Sequence, residues 1–179
     1  MTNQEKNVAS ITRGRHYLLG TDGACKGNPG TGGWGVVIQL KDGDQVLHQR
    51  ALAGQGEVMI STNNQMELTA PVRGLERLAE PLPAVVLSDS EYVVLGMTGR
   101  LEKWKAAGWR NSGGLVKNKE LWRQLDQLCQ KRAVEWVWQR GHVGHDLNEV
   151  ADQLASNGAS GRYRRGERSV KHRHPDWFW

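Results

Sequence analysis

Along the first third of the chain, apolar and polar residues alternate in short runs. Residues 16–24 alternate and then enter Cys25-Lys26-Gly27-Asn28-Pro29-Gly30, a strand followed by a turn cluster. Residues 33–40 and 46–54 read as two further strands around the Asp42-Gly43 turn, and hairpin connections make the three an antiparallel meander. The period then changes. In Ser61-Thr62-Asn63-Asn64-Gln65, Thr62 and Gln65 stand at capping-box spacing and open an amphipathic helix through Leu78. Pro71, inside that helix, should kink it or shift its effective start, because it removes an N–H from the ladder. Residues 84–87 are continuously apolar between Pro83 and Ser88-Asp89, as expected of a buried central strand. A strand, helix, strand order at this point implies a parallel crossover.

From residue 91 to 130 the pattern is helical but interrupted by Gly96, Gly108 and Gly113-Gly114. It predicts a short helix, a segment carrying Trp and Lys, and a helix from about Lys119. Residues 134–138 form a last strand. After Gly141-His142-Val143-Gly144-His145, Asp146 and Glu149 repeat the capping spacing for a helix reaching about Asn157. The order is therefore βββαβ, helices, βα, with no internal repeat. This predicts an α/β domain built on a five-stranded mixed sheet, three antiparallel strands plus parallel ones, flanked by helices. Residues 1–15 read as a polar leader, 16–159 as the domain and 160–179 as a tail.

Composition narrows the setting. A chain of 179 residues that is 38% hydrophobic suits one domain with tails. No apolar run approaches membrane-spanning length and the first residues lack a signal-peptide core, so a cytoplasmic setting without membrane partners is expected. Cys25 and Cys129 match neither a CxxC nor a Cys/His zinc spacing and are expected to be reduced and structural. The net charge of +5 is concentrated in residues 161–179, where five Arg and one Lys face only Glu167 and Asp176. Such a tail either attracts nucleic acid or is a solvated, disordered end.

Four acidic residues fall where solvation alone would not put them. Asp22 lies in the first strand, and Asp89 ends the buried strand. Glu67 shares a helix face with Ala70, Gly74 and Leu78, and Asp152 lies beside Ala151, Leu154 and Ala155. Carboxylates near a core need basic partners or a cation, and no Lys or Arg is evidently placed to meet them. Oxygen ligands without Cys or a tight His pair suit Mg²⁺, with Mn²⁺ as a substitute. Two such ions, roughly 3.5–4 Å apart, can hold the attacking and leaving oxygens of a phosphodiester displacement. Taken singly, each acid has a structural role open to it: Asp22 could cap the turn, Glu67 could favour a helix dipole, and Asp89 could cap the following helix.

Taken together, the blocks resemble a known family. Thr21-Asp22-Gly23 with Gly27-Asn28-Pro29-Gly30 is followed by Thr62-Asn63-Asn64 with Met66-Glu67-Leu68, then by Ser88-Asp89-Ser90. Gly141-His142, Gly144-His145 and Asn148-Glu149 through Asp152 complete the order. These resemble type 1 ribonuclease H, in the bacterial, handle-containing form, over roughly residues 16–159. The resemblance implies the ribonuclease H-like fold and a magnesium-dependent endonuclease that hydrolyses the RNA strand of RNA–DNA hybrids, leaving 5′-phosphate and 3′-hydroxyl ends. It implies that Asp22, Glu67, Asp89 and Asp152 bind two metal ions in the presence of substrate, and that His142 is a mobile catalytic histidine. A histidine on a glycine-flanked loop, titrating near neutral pH, could relay a proton or assist product release.

The same resemblance implies substrate-binding roles for Asn28, Thr62, Asn63 and Asn64. Asn28, Asn63 and Glu67 lie in blocks resembling those that contact RNA 2′-hydroxyls, and Thr62 matches a DNA-phosphate pocket. Residues 100–119 resemble the basic handle, where Trp104 and Trp109 supply aromatic surface and Lys105, Arg110, Lys117 and Lys119 supply charge. Trp104 could equally belong to the handle's own core; Trp136 and Trp138 read as packing residues. Glu91 and Arg100 depart from the family's glutamine and tryptophan, and Pro71 and the tail are further departures. An inactive hybrid-binding module and an integrase-like nuclease on the same fold are the alternatives, and nothing requires more than a monomer. Deleting residues 161–179 is expected to leave hydrolysis intact and weaken hybrid binding at low salt. Filter-binding at two salt concentrations checks this, and unchanged affinity removes the tail from substrate binding.

Overall fold

The computed structural model describes residues 2–139, 146–163 and 166–170, with Asp146 and 166–170 defined by their backbone. The predicted meander is present as β1 (Arg15–Lys26), β2 (Thr31–Asp42) and β3 (Gln45–Gln55), paired antiparallel. After α2 (Asn63–Glu76), β4 (Ala84–Ser88) returns parallel to β1 and is buried at every position. The last predicted strand, β7 (Val134–Trp138), then pairs parallel to β4.

Two segments outside the predicted domain are ordered into it. The polar leader forms α1 (Asn3–Ile11), opened by a capping box between Thr2 and Glu5. Gln4 Nε2 donates to Trp136 O at 2.6 Å and Asn7 Nδ2 to Glu135 Oε1 at 3.0 Å, so α1 lies along β7, an edge strand of the sheet. Part of the basic tail forms β8 (Gly166–Val170), antiparallel to β3, so the five predicted strands become six in the order β7-β4-β1-β2-β3-β8. Neither segment has the period of a buried element. β8 joins by ladder hydrogen bonds along an edge of the sheet, which side-chain patterning does not report, while α1 adds to its hydrogen bonds the packing of Val8 and Ile11 on the second core.

Helices cover both faces of the sheet. Leu19, Val36 and Val86 on one face pack with Leu68, Val72 and Leu75 of α2 and with Trp122 and Leu125 of α5 (Lys119–Cys129). Val37, Ala51 and Val85 point the other way, to Leu147, Val150 and Leu154 of α6 (Asp146–Ala159). The alternation of the strands thus serves two cores. Pro71 lies inside α2, which runs on as one helix to Glu76.

Residues 91–118 form the handle-like segment: α3 (Glu91–Leu95), a π-helical turn over Gly96–Arg100, α4 (Leu101–Ala106), and the two-residue strands β5 (Arg110–Asn111) and β6 (Gly114–Leu115). Its small core is aromatic. Tyr92 and Trp104 each place a ring 5.2 Å from the fully buried Trp122, tilted by 60° and 55°. Gly96 faces the same indole so closely that a Cβ there would lie 2.1 Å from it.

Close approach also sets where α6 lies. A Cβ on Gly35 would stand 2.3 Å from Ala151 O and 2.7 Å from Leu154 Cβ. Gly35→Ala is therefore expected to destabilise the fold by about 1–3 kcal/mol through overpacking, whereas Gly99→Ala, at a position open on all sides, should be close to neutral. Urea unfolding of the two variants checks the contrast.

Candidate active site

Asp22 in β1 and Asp89 just after β4 come from neighbouring parallel strands, whose last paired residues are Thr21 and Ser88. The sheet therefore sets them at one level. Glu67 arrives from the other direction because Gly23, next to Asp22, has no side chain: a Cβ there would stand 2.1 Å from the backbone nitrogen of Glu67. Asp152 comes from α6, on the opposite face. Four elements thus bring the four predicted acids around one cleft of about 710 Å³, which Asn63, Asn148 and Glu149 also line.

The carboxylates are held differently. Glu67 is fixed at both oxygens, accepting from Asn63 Nδ2 at 2.7 Å and from Ser90 Oγ at 2.5 Å. Ser90 is itself set as the N-cap of α3, accepting from Val93 N at 3.3 Å. Burial and the Asp89 charge still push the Glu67 carboxyl above its ordinary value, against the lowering effect of these two donors. Asp22 is pushed up to about 8, first by burial, then by Asp89 and Asp152, with a smaller push from Glu67. Among the described residues, no Lys, Arg or His forms an ion pair with any of the four.

A cation would balance this arrangement. Among the described residues no three of His, Cys, Asp and Glu stand at ready-made coordination spacing; the acids surround the cleft without closing on a point. The donor set is oxygen throughout. It fits a hard divalent ion that keeps part of its water shell, and such an ion would relieve the repulsion that raises Asp22.

A second groove, of about 790 Å³, runs between the start of α2 and the handle. Asn28, Thr62, Asn64, Arg100, Trp104 and Lys117 line it. The two depressions are joined at α2: Asn63, in the acidic cleft, donates its backbone N–H to Asn28 Oδ1 at 3.2 Å. Of the remaining expected residues, Trp109 packs against the core, with φ at 63°, and Lys119 starts α5; neither lines either groove. Trp104 does both things the sequence allowed, stacking on the core and facing the groove. His142 lies outside the described residues.

Three residues emerge that the pattern alone did not single out. Asn148 stands four residues before Asp152 and therefore on the same helix face, a spacing that could have flagged it. Ser90 was visible only as part of a motif, and its bond to Glu67 bridges 23 residues. Trp138, read as a packing residue, is 43% exposed and donates its indole N–H to Asp89 O at 3.0 Å.

The sheet order and the acids gathered over it define an α/β protein of the ribonuclease H-like fold class. The chain belongs to the RNase H family, whose profile matches residues 15–160. The family is generally metal-dependent. The chain is 49% identical to the ribonuclease H of Roseobacter denitrificans over 139 residues, which are 77% of this chain and 91% of that protein. To the ribonuclease H of Coxiella burnetii (strain CbuK_Q154) it is 43% identical over 169 residues, 94% of this chain and 100% of the other. Among solved structures it resembles LC9-RNase H1, a type 1 RNase H with the type 2 active-site motif. That likeness has a TM-score of 0.74 at 29% identity and covers 88% of this chain and 78% of that one. Among the described residues no helix is long and apolar enough to cross a membrane.

Because the folded protein holds the Asp22 proton up to about 8 rather than 3.8, the contribution of this carboxyl to metal-free stability is fully present below pH 4 and is lost as pH rises through about 8. Asp22→Asn should therefore match the parent near pH 4 and exceed it by about 1–3 kcal/mol at pH 8 in EDTA. Thermal unfolding across that range checks the sign; a variant less stable than the parent at pH 8 would contradict it.

Proposed function

We propose that this chain is an endoribonuclease that hydrolyses the RNA strand of RNA–DNA hybrids, leaving 5′-phosphate and 3′-hydroxyl ends, and that it acts as a monomer in the cytoplasm. The observation that carries the reading is the convergence of Asp22, Glu67, Asp89 and Asp152 on one cleft, beside a second groove lined by Arg100 and Lys117. Two adjoining depressions suit two strands, with cleavage confined to the one that enters the acids.

Asp22, Glu67, Asp89 and Asp152 are the residues that would hold Mg²⁺, two ions with substrate, or Mn²⁺ in its place. The bound ions would supply an activated water and stabilise the leaving oxygen. The protein's own part is orientation. Asn63 and Ser90 fix both oxygens of Glu67, so this carboxylate meets substrate without having to reorganise. Asn28 and Asn63, at the junction of the two depressions, are placed to read a 2′-hydroxyl, the group that separates RNA from DNA. Thr62, Asn64, Trp104 and Lys117 take the DNA strand, with Arg100 adding a charge; Trp109 and Lys119 support the handle's fold and field. His142 relays a proton or assists product release.

Labelled RNA–DNA, RNA–RNA and DNA–DNA duplexes, with and without Mg²⁺, test the assignment. Only the hybrid should be cut, only with metal and only in its RNA strand. Asp22→Asn should abolish turnover and retain hybrid binding, and His142→Ala should lower kcat by about 100-fold while metal binding persists. Binding without cleavage by the parent protein would leave a hybrid-binding module instead.

A further inference from the structure

Strand β4 ends at Ser88 and α3 is capped by Ser90, which leaves Asp89 between a ladder and a helix. Its carbonyl lies one residue past the last pairing of β4 with β7, Ser88 with Trp138, and outside the helix that follows. The indole of Trp138 supplies the missing partner, donating Nε1–H to that oxygen at 3.0 Å. One residue further on, Gln139 N donates to Ser88 O at 2.9 Å, so β7 holds two successive carbonyls at the end of β4.

The indole does not earn its place by burial. Its residue is 43% exposed, while Trp136, two positions earlier, is 4% exposed and belongs to the core. The ring instead lines an open groove with Val94, Leu95 and Val137. What its position achieves is to hold the carbonyl side of the peptide joining Asp89 to Ser90, whose N–H side donates to Ser88 Oγ at 3.1 Å. On one side of that peptide is the Asp89 carboxylate; on the other is the Ser90 hydroxyl, which donates to Glu67 Oε2 at 2.5 Å. A rotation of the peptide would move both together.

We propose that Trp138 is a positioning residue for the reaction: by holding the Asp89–Ser90 peptide, its indole N–H sets where the Asp89 and Glu67 carboxylates stand relative to one another. This rests on the functional reading above for its effect on turnover, and on the hydrogen bonds alone for its effect on the two carboxylates. Trp138 touches neither substrate nor ion; it acts through the backbone. Partners behind a ligand shell commonly change activity or metal affinity by about 10-fold to 100-fold when removed.

Two variants separate the hydrogen bond from the ring. Trp138→Phe removes the donor and part of the ring, and replacement of Trp138 by benzothienylalanine keeps the shape with sulfur in place of the N–H. In the metal-free parent the Nε1 proton of residue 138 should exchange slowly in NMR despite the exposed ring. In both variants the carboxyl carbon signals of Asp89 and Glu67 should move, kcat on the hybrid should fall about 10-fold, and KM and melting temperature should stay near the parent's. An indole proton that exchanges at the rate of a free tryptophan overturns the proposal, as does a benzothienylalanine variant with parental kcat and unmoved carboxyl signals. If Trp138→Phe does not fold, the isosteric variant and the parent's own exchange rate still decide. A parent that fails to cut hybrid would sink the functional reading, while the exchange and carboxyl signals would still judge the hydrogen bond.

Discussion

Asp22 occupies a position where ionisation is opposed from several sides. Burial raises its carboxyl, and Asp89, Asp152 and Glu67 each add repulsion, while among the described residues the contact that lowers it is the backbone N–H of Gly23. In a protein selected for stability alone such a site would be filled by an apolar side chain or an amide. Everything around it resists the obvious relaxation. The strand that carries Asp22 is paired on both sides, with β2 and β4, and helices pack on both faces of the sheet. The acids cannot separate without breaking the sheet or lifting a helix, so the repulsion persists in the folded protein, where a bound cation would relieve it.

That rigidity depends on close approach. Gly23 lets the start of α2 come against β1, and Gly33 and Gly35 let α6 come against β2, with Gly158 of the helix meeting the Gly54 carbonyl. Helices placed this near the sheet project short acidic side chains over its end; helices at the usual side-chain distance would hold Glu67 and Asp152 further from Asp22 and Asp89. The two cores are therefore part of the site. Their apolar contacts hold like charges around one cleft.

Legibility in the sequence followed the kind of force involved. The meander, the buried β4 and the cap of α2 were readable because burial period and capping chemistry are local signals; Thr62 and Gln65 form the box their spacing announces. The four acids were readable as misplaced charges, and their family order joined them into one site. The edge elements were not readable. β8 attaches through ladder hydrogen bonds and α1 through hydrogen bonds and two apolar contacts, Val8 and Ile11, too few to mark a buried face, and a polar sequence serves an edge as well as it serves solvent. Trp138 misled for a related reason: an aromatic residue at strand period suggests packing, and only the ladder's end shows that its donor, and not its surface, is in use. Pro71 also carried less weight than its rule suggests, because the helix that contains it is pinned on both sides of the ring by Leu68, Val72 and Leu75 in the core.

The departures from the family pattern take on meaning in the same frame. Glu91 sits in the first turn of α3, where the helix dipole favours a negative charge, so its place is explained without reference to substrate. Arg100 closes the π-helical turn and faces the second groove with Lys117, adding a fixed charge where the family carries an aromatic surface. If the second groove takes a nucleic-acid strand as proposed, the exchange would trade contact area for long-range attraction to phosphate and make affinity more dependent on salt. The tail is constrained too. The pairing of β8 begins with Glu167, level with Gly23 through Trp34 and Gly54, passes Asp22 at Arg168 and runs from there away from the acid-bearing end of the sheet. The residues of β8 beyond Arg168 are thus carried along the β3 edge, away from the cleft.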